Sequence, residues 1–259
     1  MDRTGEDMGS SVSILGVRVD RHTTASAIRR FEEFIAAGNP HRVFIVNAHT
    51  LNLAFEDSAY TEILNSADLV LNDGTGVNWA ARVLDGRPFE ENLVGTDLIP
   101  RFCAIARERG YALYLLGGKP GIAERAAATL DRLYPGLKIA GFHHGYFAEE
   151  ETDKIISSIN ALAPQVLLVA FGNPRQEECI HRHGTRLTAP LCIGVGGLFD
   201  YLSGELIRAP RWMRASGIEW TFILLLQPHK WKRYLLGNPK FVLRVLKWKR
   251  QRFGNIRSC

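Results

Sequence analysis

The chain has 259 residues, 46% of them hydrophobic, enough to bury the core of one large domain with an appendage. Its net charge of +5 hides a division, because residues 205–259 hold thirteen Lys/Arg against two acids while the rest holds nineteen against twenty-five. No run of about 18 apolar residues spans a bilayer, residues 1–11 lack a signal-peptide core, and the four cysteines (Cys103, Cys179, Cys192, Cys259) contain no CxxC pair, so a zinc or dithiol motif is excluded and a reducing, cytoplasmic setting is expected.

Val12 to Val19 reads as an extended segment or hairpin. Ala27, Ile28, Phe31, Phe34 and Ile35 recur at helical spacing before Gly38 and Pro40. Val43 to Val46 is a buried strand, followed through Asn47-Ala48-His49-Thr50 by a helix to Phe55 and a short one over Tyr60 to Leu64. Leu69 to Leu71 is the next strand. It breaks at Asn72-Asp73-Gly74-Thr75-Gly76 into a helix from Val77 to Leu84. Leu98 to Arg109 is a helix capped by Gly110. Tyr111 to Leu116 is a strand, and Gly117 to Gly121 opens a helix that reaches Leu133. Lys138 to Phe142 is a strand, His143 to Phe147 a loop, and Glu149 to Leu162 a helix with acids in its first turn. Gln165 to Ala170 is a strand that turns through Gly172-Asn173-Pro174 into a helix bearing Gln176 and Glu177. Leu191 to Val195 closes the series at Gly196-Gly197.

This alternation predicts an α/β fold: a Rossmann-like, mostly parallel sheet with helices on both faces. The catalytic body is expected over residues 12–203. A flexible leader precedes it at 1–11, and a basic, aromatic-rich helical appendage follows at 204–259.

In such a sheet the carboxyl ends of the strands share one edge, where ligands bind. Five of these ends carry small and polar residues together: 47–52, 72–76, 116–121, 172–176 and 194–200. Glycine lets a ligand approach the backbone and helix N-termini favour phosphate, so a nucleotide-type ligand is expected. Gly74, Gly76, Gly117, Gly118, Asn173 and Gly197 are the candidate contacts. Neither GxGxxG nor a Walker motif occurs, and any one turn is better explained by plain turn chemistry, an account that five such turns on one edge weaken. Asp73 sits at a strand end, as either a reactive carboxylate or a plain helix cap. Asp68 precedes the strand and is expected to face solvent, which leaves paired-carboxylate hydrolysis without support. His143-His144 lacks a third ligand at metal spacing.

The tail interleaves Trp212, Trp220, Trp231, Tyr234 and leucines with Arg208, Arg211, Arg214, Lys230, Lys232 and Arg233. An interfacial membrane helix has this composition. A solvated helical subdomain and an RNA-binding tail have it too. At the level of composition a nucleic-acid-binding protein and a non-catalytic sugar-nucleotide-binding regulator therefore stand beside an enzyme.

The ordered motifs nevertheless resemble one family, the bacterial WecG/TagA/CpsF glycosyltransferases. They are the Asn47 segment, Asp73-Gly74-x-Gly76, Gly95-Thr96-Asp97-Leu98, Leu116-Gly117-Gly118-Lys119-Pro120 and Gly145-Tyr146-Phe147. Further on come Gly172-x-Pro174-x-Gln176-Glu177, Val195-Gly196-Gly197-x-Phe199-Asp200, Arg208-Ala209-Pro210-Arg211-Trp212, Glu219-Trp220 and Arg233-Tyr234. The resemblance implies transfer of a sugar from a UDP-sugar to a polyprenyl-diphosphate-linked sugar, without metal or other cofactor, at the cytoplasmic face of the inner membrane. It implies Asp73 as general base, Asn47 and Gln176 in the active site, and Gln176 and Asp200 at the nucleotide. It places Arg208, Arg211 and Arg214 at the lipid diphosphate and the tail, with Lys230, Lys232 and Arg233, on an anionic membrane. Self-association is also expected of the family, and nucleic acid is not expected as a partner. Two positions depart from the pattern. Ile45-Val46-Asn47 replaces Thr-x-Asn, leaving Thr50 as the candidate pocket hydroxyl, and Asn92 replaces an arginine. The wording is closer to exopolysaccharide members of the family.

Overall fold

The computed structural model describes residues 11–210, 212–213, 219–227 and 231–256. Strands β1 (Ser11–Ile14) and β2 (Val17–Asp20) form an antiparallel hairpin. The remaining strands are β3 (His41–Val46), β4 (Leu69–Asn72), β5 (Ala112–Gly117), β6 (Lys138–His143), β7 (Val166–Ala170) and β8 (Leu191–Gly194). These six pair in parallel in the order β4-β3-β8-β7-β5-β6. The helices in chain order are α1 (Thr24–Ala37), α2 (Ala48–Glu56), α3 (Ser58–Asn65), α4 (Thr75–Asp85), α5 (Gly95–Arg109) and α6 (Ile122–Leu133). Then follow α7 (Thr152–Ala161), α8 (Arg175–His183), α9 (Leu198–Leu202), α10 (Glu219–Leu226) and α11 (Gly237–Ile256).

Successive strand side chains point to opposite faces, which is why the sheet needs cover on both. Phe44, Val46, Val70, Leu116, Leu167 and Val169 share one core with α2, α3, α4, α7 and α8. Val43, Ile45, Leu71, Leu115, Leu168 and Ile193 share the other with α1, α5, α6 and α9. The β4 edge is protected by the hairpin, whose Asp20 carboxylate accepts a hydrogen bond from the Val70 amide at 2.9 Å. Asp68 faces solvent, as expected, and also accepts from the Arg42 amide at 2.7 Å, which helps tie β3 to β4. Cys103 and Cys192 are buried, and burial pushes both thiols up to about 12. Cys259 lies outside the described residues.

The basic C-terminal segment is anchored in the body. Phe241 and Val245 of α11 are buried in the same core as α2 and α4. A Cβ at Gly76 would stand 3.4 Å from Ala48 Cβ and 3.9 Å from Phe241, so this glycine sits where three helices meet. Arg244 donates to the Asn52 carbonyl at 3.0 Å and pairs with Glu56 at 2.6 Å. Bonds from Lys240 and Arg244 hold the Glu56 carboxyl below its ordinary value. The opposite side of α11 and the π-helical turn before it expose Leu235, Leu236, Val242, Leu243 and Leu246. Among the described residues no helix is long and apolar enough to cross a membrane.

Candidate active site

The strand register sets the site. Val46 pairs with Asn72, so Asn47 and Asp73, one residue further along each strand, leave the sheet side by side. The Asp73 amide donates to the Val46 carbonyl at 2.8 Å, which fixes the turn onto β3. Asn72 is fully buried. Its Nδ2 donates to the Glu91 carbonyl at 2.9 Å, and its own carbonyl accepts from the Leu93 amide at 3.1 Å. The Gly74 amide donates to Asn92 Oδ1 at 2.6 Å. The loop over residues 91–93 is thus bonded along the end of β4 and carries the Asp73 turn. Gly74 has φ 96° and ψ 155°, backbone that only glycine adopts readily.

Asn47 caps α2. Its Oδ1 accepts from the His49 and Thr50 amides at 3.0 and 3.2 Å. Thr50 is fully buried and its hydroxyl donates to the same Oδ1 at 3.3 Å, so it is spent on the cap and supplies no pocket hydroxyl. Helices α4, α5, α6, α8 and α9 leave this edge without a side-chain cap. Their first N–H groups are the kind of donors that receive a diphosphate.

The β5 end is tightly packed, while a Cβ at Gly172 or Gly196, after β7 and β8, would meet nothing within 4 Å. A Cβ at Gly117 would overlap the Ala170 carbonyl. One at Gly118 would lie 2.6 Å from Ile122, and one at Gly145 would lie 2.7 Å from the Phe171 ring. These glycines let backbones close on one another. Gln176, 1% exposed, is likewise turned inward: Oε1 accepts from the Gly196 amide at 2.9 Å and Nε2 donates to Glu177 at 2.8 Å. Glu177 is fully buried and also receives Tyr60 Oη at 3.0 Å and Asn173 Nδ2 at 2.6 Å. Burial pushes its carboxyl up to about 7, against the lowering effect of those donors. The same burial, with the Glu177 charge beside it, raises the Tyr60 phenol. The sequence does not mark Glu177 as a site residue. Its adjacency to Gln176 was the available signal, but nothing local says that an acid on a polar helix is enclosed.

The sequence matches the profile of the Glycosyl transferase WecG/TagA/CpsF family over residues 12–255. The chain belongs to that family. It is similar to the N-acetylglucosaminyldiphosphoundecaprenol N-acetyl-beta-D-mannosaminyltransferase of Bacillus subtilis (strain 168), with 33% identity across 78% of this chain and 77% of the relative. It is also similar to the protein of the same name from Staphylococcus aureus (strain NCTC 8325 / PS 47), with 32% identity across 93% and 94%.

In this WecG/TagA/CpsF member, Gly197 and Asp200 lie at and just inside the start of α9, beyond the β8 end. Arg208 reaches back to the body and forms a two-pronged pair with Asp97 at 2.8 and 2.6 Å, with a further bond to the Thr96 carbonyl at 3.2 Å. Lys232 is exposed beside Trp231, and Arg233 lies over the Tyr234 ring. Arg211, Arg214 and Lys230 lie outside the described residues. The structure therefore brings Asn47, Asp73 and Gly74 together and keeps Gln176, Asn173, Gly117 and Gly118 in the supporting turns.

Proposed function

We propose that this chain is an inverting glycosyltransferase with Asp73 as its general base. The observation that carries the reading is the placement of Asp73 beside Asn47 at the sheet edge from which uncapped helices, α4, α5, α6, α8 and α9 among them, start. The donor is a UDP-sugar carrying a hexose or N-acetylhexosamine. The acceptor is a sugar on a polyprenyl diphosphate, the acceptor class named for the relatives. Asp73 takes the proton of the acceptor hydroxyl. The oxygen then forms its bond to the anomeric carbon as the bond to UDP breaks on the opposite face, inverting the configuration. Helix N–H groups and basic side chains, with no metal, balance the charge gathering on the departing diphosphate.

The exposed leucines of the C-terminal segment, with Trp231, Lys232 and Lys247, support docking on the anionic cytoplasmic surface of a membrane. Asp73→Ala should lower transfer by about 10²- to 10⁴-fold, the usual range for loss of a positioned base, while UDP affinity stays unchanged. Radiolabelled-sugar transfer to a short-chain prenyl-diphosphate acceptor, paired with UDP titration calorimetry, measures both. Full turnover by the variant would remove Asp73 from the mechanism.

A further inference from the structure

A recess of about 220 Å³ opens beside the Asp73 turn, lined by Thr24, Glu91, Asn92, Leu93, Asp97, Leu98 and Arg101. Helices α1 and α5 run against the strand direction, so both begin at the same edge as the site. We propose that this recess holds the neutral pyranose ring of one of the two sugar substrates, and that Glu91, Asn92 and Arg101 determine which sugar is accepted. The proposal rests on the glycosyltransferase reading and deepens it.

Continuity comes first. Asn92 lines the recess and, through its 2.6 Å bond, holds the Gly74 amide next to Asp73. A ring seated there adjoins the proposed base. Size comes second. At about 220 Å³ it falls below the roughly 300–1,000 Å³ of drug-sized pockets. That is the scale of one ring rather than of a whole nucleotide.

Hydrogen-bonding capacity comes third. Glu91 Oε2 accepts from the Thr24 amide and hydroxyl at 2.9 and 2.5 Å, while Oε1 has no protein partner among the described residues. Asn92 uses its Oδ1 on Gly74, and its Nδ2 has no protein partner among the described residues. Arg101 makes one long bond, 3.4 Å to the Thr24 hydroxyl, and keeps its other N–H groups. An acceptor and two sets of donors beside apolar Leu93 and Leu98 suit hydroxyls that both donate and accept on a ring with a C–H face.

Charge decides between a sugar and a phosphate. Glu91 faces Arg101, and Asp97 is paired with Arg208. The bonds from Thr24, with Arg101 adding to them, hold the Glu91 carboxyl below its ordinary value, so it stays ionised. The lining itself holds two acids, Glu91 and Asp97, and one guanidinium, Arg101, so a diphosphate would find no excess of positive charge.

Full-length wild type, Arg101→Ala and Glu91→Gln can be titrated by ligand-observed NMR with three probes. These are UDP, a panel of UDP-hexoses and UDP-N-acetylhexosamines, and short-chain prenyl-diphosphate N-acetylhexosamines. UDP affinity should stay within about twofold of wild type, while one class of sugar-bearing probe weakens at least tenfold. Loss confined to UDP-sugars assigns the recess to the donor sugar, and loss confined to the prenyl-linked probe assigns it to the acceptor. Arg101→Ala alters an exposed side chain and decides the matter if Glu91→Gln does not fold. Unchanged binding of both probe classes by a folded variant, with wild type still active in transfer, overturns the recess alone. An equal loss for UDP itself also overturns it. Wild type that neither binds the probes nor transfers sugar overturns the glycosyltransferase reading beneath it.

Discussion

At the β4 end of the sheet edge the chain is open. A Cβ at Gly74 would meet nothing within 4 Å, Asn92 and Arg101 keep spare donors, and a recess lies alongside. At the β5 end the same kind of glycine-bearing turn is closed, whereas Gly172 and Gly196, beyond β7 and β8, meet nothing within 4 Å, as at Gly74. Gly117, Gly118 and Gly145 are pressed against backbone or side chains, and Gln176, Asn173 and Tyr60 converge on one buried carboxylate. The edge thus mixes turns that leave room with turns that hold strand ends in place, and the uncapped starts of α6, α8 and α9 lie beside the latter. A glycine at a strand end is thus evidence of close approach, but the approaching group is as often the protein itself as a ligand.

Substitutions separate the two kinds of turn by size of effect. Gly117→Ala should be the most damaging to stability, because a methyl group meets a carbonyl that the sheet holds fixed, at φ 143°. A loss of about 3 kcal/mol or more is expected from strain and overpacking together, read by urea unfolding. Near-wild-type stability would show that β5 and β7 can part at their ends.

Glu177 tests the holding turns through pH. Its carboxyl rises from an ordinary 4.5 to about 7 in the fold. Between those values the folded chain keeps a proton that the unfolded chain has released, so stability falls as pH rises through that window. The drop from this group should approach roughly 3 kcal/mol. Glu177→Gln should remove that part of the pH dependence and lower stability by about 1–3 kcal/mol, because its amide cannot accept from all the donors aimed at it. Denaturant melts at pH 5 and pH 7.5 give both quantities.

Gly74→Ala should cost less, about 1–2 kcal/mol, since only backbone conformation opposes it. Its effect on transfer should outweigh its effect on the melting temperature, the reverse of Gly117→Ala. The smallest change is expected of Asp97→Asn. The pair with Arg208 is partly exposed, with side chains 43% and 27% accessible, and screening holds its contribution to about 1 kcal/mol or less.

Much of this architecture was readable from the chain. The run Val166–Ala170 became a strand buried along its length, and Gly38 and Gly110 ended helices in the left-handed conformation. Asp73 was legible because strand, turn and helix follow one another locally. Other features depended on distant partners. Arg208 read as a phosphate ligand, yet its guanidinium is taken by Asp97, more than a hundred residues earlier. Thr50 read as a spare hydroxyl, but it closes a cap on Asn47. The C-terminal segment read as a basic, aromatic-rich appendage for a membrane surface, and only the fold shows that its helix buries Phe241 and Val245 in the body.

The residues by themselves determined the order of strands and helices, the charge division and the family, because these depend on periodicity, turn chemistry and motif order along the chain. Tertiary structure alone decided which strand ends stay open. Whether a glycine, an amide or a carboxylate faces a ligand or its own neighbours depends on register and packing across the sheet. Val46 opposite Asn72 brings Asn47 beside Asp73, and Gly117 against Ala170 closes the β5 turn.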